Sequence, residues 1–168
     1  MIYMIIVKDA MILIHLAKLS ILEKSCDYFK NIIIPNLVYE EINKYEDYPD
    51  ANIINSLIKS KKISIKNIKN INLIKKANEF NIQYGEAEAL ALYWQENADL
   101  LATDDDNVRK KKELLNIKLI GTPAIILILY NKKIIDKDKA SLSIEILRDI
   151  GWFSNALLDS VIMEVNKK

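Results

Sequence analysis

Short, unbroken apolar runs alternate along this chain with longer segments whose apolar residues recur every three to four positions. The run Ile2 to Val7 is continuous and rich in β-branched residues, which predicts a strand buried on both faces, as in a parallel sheet. Met11 to Leu19 has helical character. Ile32 to Ile34 is a second strand, stopped by Pro35, and Asn36 to Tyr45 and Asp50 to Lys59 follow as helices. Ile63 to Ile65 is a third strand. Ile71 to Phe80 and Gly85 to Asn97 are helices, Leu100 to Thr103 a fourth strand, Asn107 to Leu115 a helix, and Lys118 to Ile120 a fifth strand. Thr122-Pro123 has the form of an N-cap and first-turn proline for a helix over Ala124 to Tyr130. A further helix from about Lys139 to Ile150 ends at Gly151, a C′ glycine, and the last begins near Ser154. Strands alternating with helices predict a three-layer α/β domain with a mainly parallel sheet, one domain across residues 1–168.

Composition narrows the function without naming it. The 168 residues are 51% apolar, and 24 basic residues nearly balance 23 acidic ones, for a net charge of +1. That excludes disorder and withholds support for a strongly basic nucleic-acid binder, so any nucleic-acid role rests on local charge. Cys26 is the single cysteine, so no intrachain disulfide forms and a reducing cytoplasm is the expected setting. No cationic segment precedes the first apolar run, and no stretch reaches the roughly 18–20 apolar residues of a membrane span, so neither a secretory signal nor a membrane partner is expected.

The acids carry the candidate chemistry. In an open parallel sheet, ligands bind beyond the carboxyl ends of the strands. Strand one ends at Asp9 (IIVKD), and strand four runs into Asp104, Asp105 and Asp106 (LLATDDD). A single Asp after a strand often only caps the next helix; a run of three exceeds what capping needs. On the Asn36–Tyr45 helix the apolar stripe is Leu37, Val38, Ile42 and Tyr45, and Glu41 falls within it while Glu40 lies off it. A core-facing carboxylate is costly unless paired, protonated or bound to a metal. In YGEAEALALYW the inward stripe is Ala87, Leu90, Ala91 and Trp94. Glu86 lies near it at the helix N-terminus and Glu88 near the opposite face, so Glu86 is preferred and Glu88 is secondary. The set Asp9, Glu41, Glu86, Asp104 and Asp105 is all oxygen, which suits Mg²⁺ or Mn²⁺ and argues against zinc.

These residues together resemble the PIN domain, a family of metal-dependent ribonucleases. IIVKDAMILIHLAK resembles its first motif, IIIPNLVYEEI its second with the glutamate at Glu41, and GEAEALAL with LLATDDDNVRK its third and fourth. GTPAIILILYNKKII and GWFSNALLDSVIMEV resemble the C-terminal half of an archaeal-type subgroup related to VapC toxins. The resemblance implies a five-stranded parallel sheet of order 3-2-1-4-5, RNA as substrate, a homodimer and, for a toxin, a cognate antitoxin. Where many VapC toxins carry one aspartate at the third position, this chain offers Glu86 and Glu88. Thr103 and the cluster Arg109, Lys110, Lys111 and Lys112 are the candidate RNA contacts; Lys8 and Lys18 are weaker ones. A non-catalytic PIN module binding RNA or protein is the alternative. A haloacid-dehalogenase-type phosphatase is disfavoured because Ala10 and Met11 replace its second aspartate. His15, within ILIHLA, reads as a packed histidine with one hydrogen bond.

Overall fold

A computed structural model describes residues 4–44 and 46–167. Five strands, β1 (Ile6–Lys8), β2 (Ile32–Pro35), β3 (Ile63–Lys66), β4 (Leu100–Ala102) and β5 (Leu119–Ile120), pair in parallel in the order β3-β2-β1-β4-β5. The predicted order is therefore the observed one. β1 pairs with β2 on one side (Ile6 with Ile32) and with β4 on the other (Val7 with Leu101).

The unbroken apolar strands have a direct cause: helices cover both faces of the sheet. Ile6, Ile32, Ile34, Ala102 and Ile120 point into one core. That core is shared by α1 (Ala10–Lys18), α2 (Leu22–Phe29), α3 (Asn36–Asn43), α4 (Pro49–Lys59), α9 (Thr122–Asn131), α10 (Lys137–Ile150) and α11 (Asn155–Asn166). Val7, Ile33 and Leu101 point into the other, under α5 (Ile71–Glu79), α6 (Tyr84–Gln95), α7 (Asp106–Lys110) and α8 (Lys112–Leu115). The result is a three-layer α/β/α fold.

Several boundaries differ from expectation. β1 is Ile6–Lys8; residues 2 and 3 of the predicted strand, and Tyr45 of the predicted stripe, lie outside the described residues. α2 is a helix beyond those expected. It forms because Leu22, Cys26 and Phe29 share one buried face. The helix expected over Asn107 to Leu115 is broken at Lys111 into α7 and α8. Gly121, not Thr122, is the N-cap of α9, while Gly151 closes α10 at φ +81° as expected of a C-cap glycine. Among the described residues no helix is long and apolar enough to cross a membrane.

Candidate functional site

β1 and β4 are neighbours and end at one rim, so the residues after them meet at the point where strand order reverses. Asp9 follows β1 and is 3% exposed. Its Oδ1 caps α1 by accepting from the Ile12 amide at 3.0 Å. Its Oδ2 is buried with no hydrogen-bond partner. Burial pushes the Asp9 carboxyl up to about 7; the charges of Asp104 and Glu86 add to this, while the Thr103 hydroxyl and the Ile12 amide oppose it. An orphaned, buried carboxylate oxygen is costly unless a proton or a cation takes it.

Asp104 and Asp105 are consecutive after β4 and engage opposite layers. Asp104 is 2% exposed and reaches α9 and α1. It accepts from the Thr122 amide at 2.7 Å, from the Thr122 hydroxyl, and from His15 Nδ1 at 2.7 Å. His15 is buried and meets Phe153 and Trp152 edge-on, so it is the packed histidine with one hydrogen bond that the sequence suggested. Asp105 caps α7 by accepting from the Val108 amide at 2.8 Å, and its own amide donates to Thr103 Oγ1 at 3.0 Å. Thr103 thus fixes the turn that carries Asp105, and Asp105 shares a cleft with Glu86.

The two glutamates of GEAEA diverge. Glu86 faces Asp105, whose charge raises its pKa further after burial has done so. Glu41 is half-buried on α3 and accepts from the Gly85 amide at 3.1 Å, at the positive end of α6. A Cβ on Gly85 would stand 2.5 and 2.6 Å from the two Glu41 oxygens, so the missing side chain is what lets that carboxylate sit there. Burial raises the Glu41 pKa and the nearby Glu86 charge adds to it. Glu88 turns elsewhere: it accepts from the Leu37 amide at 3.4 Å and lines a different cleft with Ile74 and Asn78.

The fold therefore makes Glu86 the link of the cluster, within electrostatic reach of Asp9, Glu41 and Asp105, while Asp104 reaches Asp9 and Glu88 reaches Glu41 from its own cleft. Among the described residues no three acidic, histidine or cysteine side chains close on one point as a finished ion site. What the site offers a hard cation is an all-oxygen donor set with one buried oxygen already unpartnered.

The basic candidates are differently placed. Arg109 and Lys110 pair with Asp106 at 3.1 and 2.8 Å, on the exposed face of α7. Lys111 donates to the Phe80 carbonyl and pins α7 to the end of α5, while Lys112 is exposed. Lys8 is fully buried, donates to Ser25 Oγ at 2.8 Å and lies over the Phe29 ring, so it is removed from any phosphate. Burial lowers its pKa to about 8. Lys18 pairs with Asp50 at 2.8 Å. Sequence reasoning overlooked Thr122 as the anchor of Asp104 and Gly85 as the seat of Glu41. The glycine directly before the first glutamate was the available signal for the second.

A family model described as a PIN domain matches residues 5–167. No curated protein and no solved structure matches the chain.

Proposed function

The chain belongs to the PIN-domain family, whose members are in general nucleases that use divalent metals, and from that premise we propose that this protein is an endoribonuclease. It hydrolyses RNA phosphodiester bonds with Mg²⁺ or Mn²⁺ held by Asp9, Glu41, Glu86 and Asp105. The observation that carries the reading is the unpartnered Asp9 Oδ2, buried among acids whose pKa values burial has raised. When bound, the ion supplies Lewis acidity at the scissile phosphate and activates water.

The chain's own groups divide the remaining work. The Ile12 amide aims Asp9, the Gly85 amide aims Glu41, and the Thr103 hydroxyl together with the Val108 amide aims Asp105. Asp104 has three of its roughly four lone-pair directions taken by Thr122 and His15. Its principal role is to tie the end of β4 to α9 and α1, which holds Asp105 in register with Asp9. Thr103 serves as a turn-former, and Arg109, Lys110 and Lys112, which stay open to solvent, are the basic residues of the cluster available to RNA phosphates.

Incubation of a mixed structured and single-stranded RNA pool with Mg²⁺, Mn²⁺ or EDTA tests the reading. Wild type is expected to cleave with either ion and not in EDTA; Asp9→Asn and Asp105→Asn are expected to be inactive. Equal cleavage by wild type and both variants overturns it. RNA bound but uncut with either ion favours a non-catalytic RNA-binding PIN module.

The resemblance of GTPAIILILYNKKII and GWFSNALLDSVIMEV to the VapC-related subgroup supports a VapC-like toxin as the physiological role, with a cognate antitoxin as partner and a homodimer as the working form, and the paired glutamates of GEAEA are its departure from that pattern. A small open reading frame adjoining the gene is the observation that tests the antitoxin.

A further inference from the structure

Tyr84 opens α6 at φ +54°, in the left-handed region that a bulky L-residue occupies only against its preference. The other non-glycine residues with positive φ are asparagine, lysine and serine; among the described residues Tyr84 is the one aromatic. It is also 75% exposed. A strained backbone that holds a large ring out in water is not explained by core packing, and no hydrogen bond to its hydroxyl compensates it among the described residues.

Its position gives the ring a use. Tyr84 stands on the ridge between two clefts. One, of about 200 Å³, is bordered by Asn81, Gln83, Asn107 and the site acids Glu86 and Asp105. The other, of about 500 Å³, is bordered by Leu37, Ile74 and Glu88. The first is smaller than the roughly 300–1,000 Å³ of sites for drug-sized ligands and suits one flat group. Its non-acidic lining is neutral: Asn107 Nδ2 is spent on the Asn81 carbonyl at 2.9 Å, which leaves its Oδ1 and the Gln83 amide for hydrogen bonds. An uncharged base approaches a rim of carboxylates without the repulsion that a second bare phosphate would meet. The buried, unpartnered Asp9 Oδ2 belongs to a carboxylate within electrostatic reach of Glu86, which borders the first cleft.

We infer that Tyr84 is the platform on which one unpaired nucleobase of single-stranded RNA stacks, which sets the adjoining phosphate over Asp9, Glu86 and Asp105. The phosphate placement rests on the nuclease reading above; the stacking itself does not. Base–aromatic stacking is tolerant of sequence, so the site selects for an unpaired base and not for a particular one.

Fluorescence anisotropy with a labelled single-stranded RNA of about 12 nucleotides, in EDTA so that nothing is cut, separates the two. Tyr84→Phe is expected to bind like wild type, because stacking needs no hydroxyl. Tyr84→Ala and Tyr84→Gly are expected to weaken binding roughly 5- to 150-fold. Tyr84→Gly relieves the φ strain, so its melting temperature is expected to equal or exceed that of wild type, which excludes unfolding as the cause of lost affinity. A duplex of the same sequence is expected to bind wild type and Tyr84→Ala alike. Wild-type affinity in the Ala and Gly variants overturns the inference, as does a Phe variant as weak as Ala, or a wild type that binds no RNA. The nuclease reading fails separately, if wild type binds RNA and does not cut it with Mg²⁺ or Mn²⁺.

Discussion

Asp9 is the residue on which stability and proposed chemistry pull against each other. An ordinary aspartate ionises near 3.8 and Asp9 near 7, because burial penalises its charge. Between those values the folded chain keeps a proton that the unfolded chain has released. The unfolding free energy therefore falls as pH climbs from about 4 to about 7, and this contribution is flat outside that window. Its size is on the order of a few kcal/mol. Thermal melts in EDTA across pH 4 to 8 are expected to fall by several degrees more for wild type than for Asp9→Asn, with Mg²⁺ or Mn²⁺ restoring the wild type at pH 8; parallel curves for the two proteins would sink the assignment. Neighbouring acids are expected to separate by role. Glu86→Gln should lower cleavage by more than about 100-fold. Asp104→Asn, which disturbs a positioning network, should cost roughly 10- to 100-fold. Glu88→Gln should change it less than about threefold, and initial rates on one RNA decide the ranking. The candidate acids themselves were legible in sequence because each follows a strand or falls on a helical stripe. The division between Asp104 and Asp105 was not, since which layer each of two adjacent side chains joins depends on Thr122 and His15, far away in the chain.

At the scale of elements, α6 shows what helical periodicity conveys and what it misses. The stripe Ala87, Leu90, Ala91 and Trp94 assumes one buried side, yet Ala89 and Leu92 are buried as well, because α6 lies between the sheet and α5 with α3. Trp94 is only half-buried, its ring under Lys76 at 4.1 Å. A helix covered on two sides has small apolar residues around most of its circumference, so its orientation is poorly encoded in pattern. The same crowding explains Gly85. In an open helix Gly→Ala stabilises by roughly 0.5–1 kcal/mol. Here the new Cβ would overlap the Glu41 carboxylate, the far end of a flexible side chain that can swing aside. Gly85→Ala is therefore expected to melt within a few degrees of wild type while losing at least tenfold in cleavage, because Glu41 is displaced from its seat. A variant that keeps full activity would show that the Glu41–Gly85 contact is dispensable. The break between α7 and α8 escaped prediction for a related reason: it is set by a tertiary contact, Lys111 onto the Phe80 carbonyl, and not by local propensity, whereas α2 was legible in the i, i+4, i+7 stripe of Leu22, Cys26 and Phe29.

For the whole molecule, the proposed homodimer now rests on different ground from that given by the sequence. The apolar excess of α9 is consumed only in part: Ile125, Ile126 and Leu129 are buried, and α10, α11, α1 and α2 pack around it, while Leu127 and Ile128 stay half-exposed. α1 keeps an excess that borders a groove. Met11 and Ile14 are half-exposed and line a groove of about 290 Å³ with Ile42, Tyr48 and Ala51, between α1 and α4. The groove is apolar along its floor and carries one cation and one anion, Lys18 and Asp50, paired at its edge. A patch with an apolar centre and both charges at its rim is self-complementary, which is what a two-fold interface requires of a single surface. Size-exclusion chromatography with light scattering at micromolar concentration is expected to give about twice the chain mass of 19.4 kDa. Ile14→Glu is expected to give the single-chain mass with an unchanged melting profile, since Ile14 lies at the edge of the core and not within it. A wild-type mass of one chain would remove the homodimer. A dimeric Ile14→Glu would move the interface to another face, and the half-exposed Trp152 at the start of the α10–α11 connection would then be the next position to substitute.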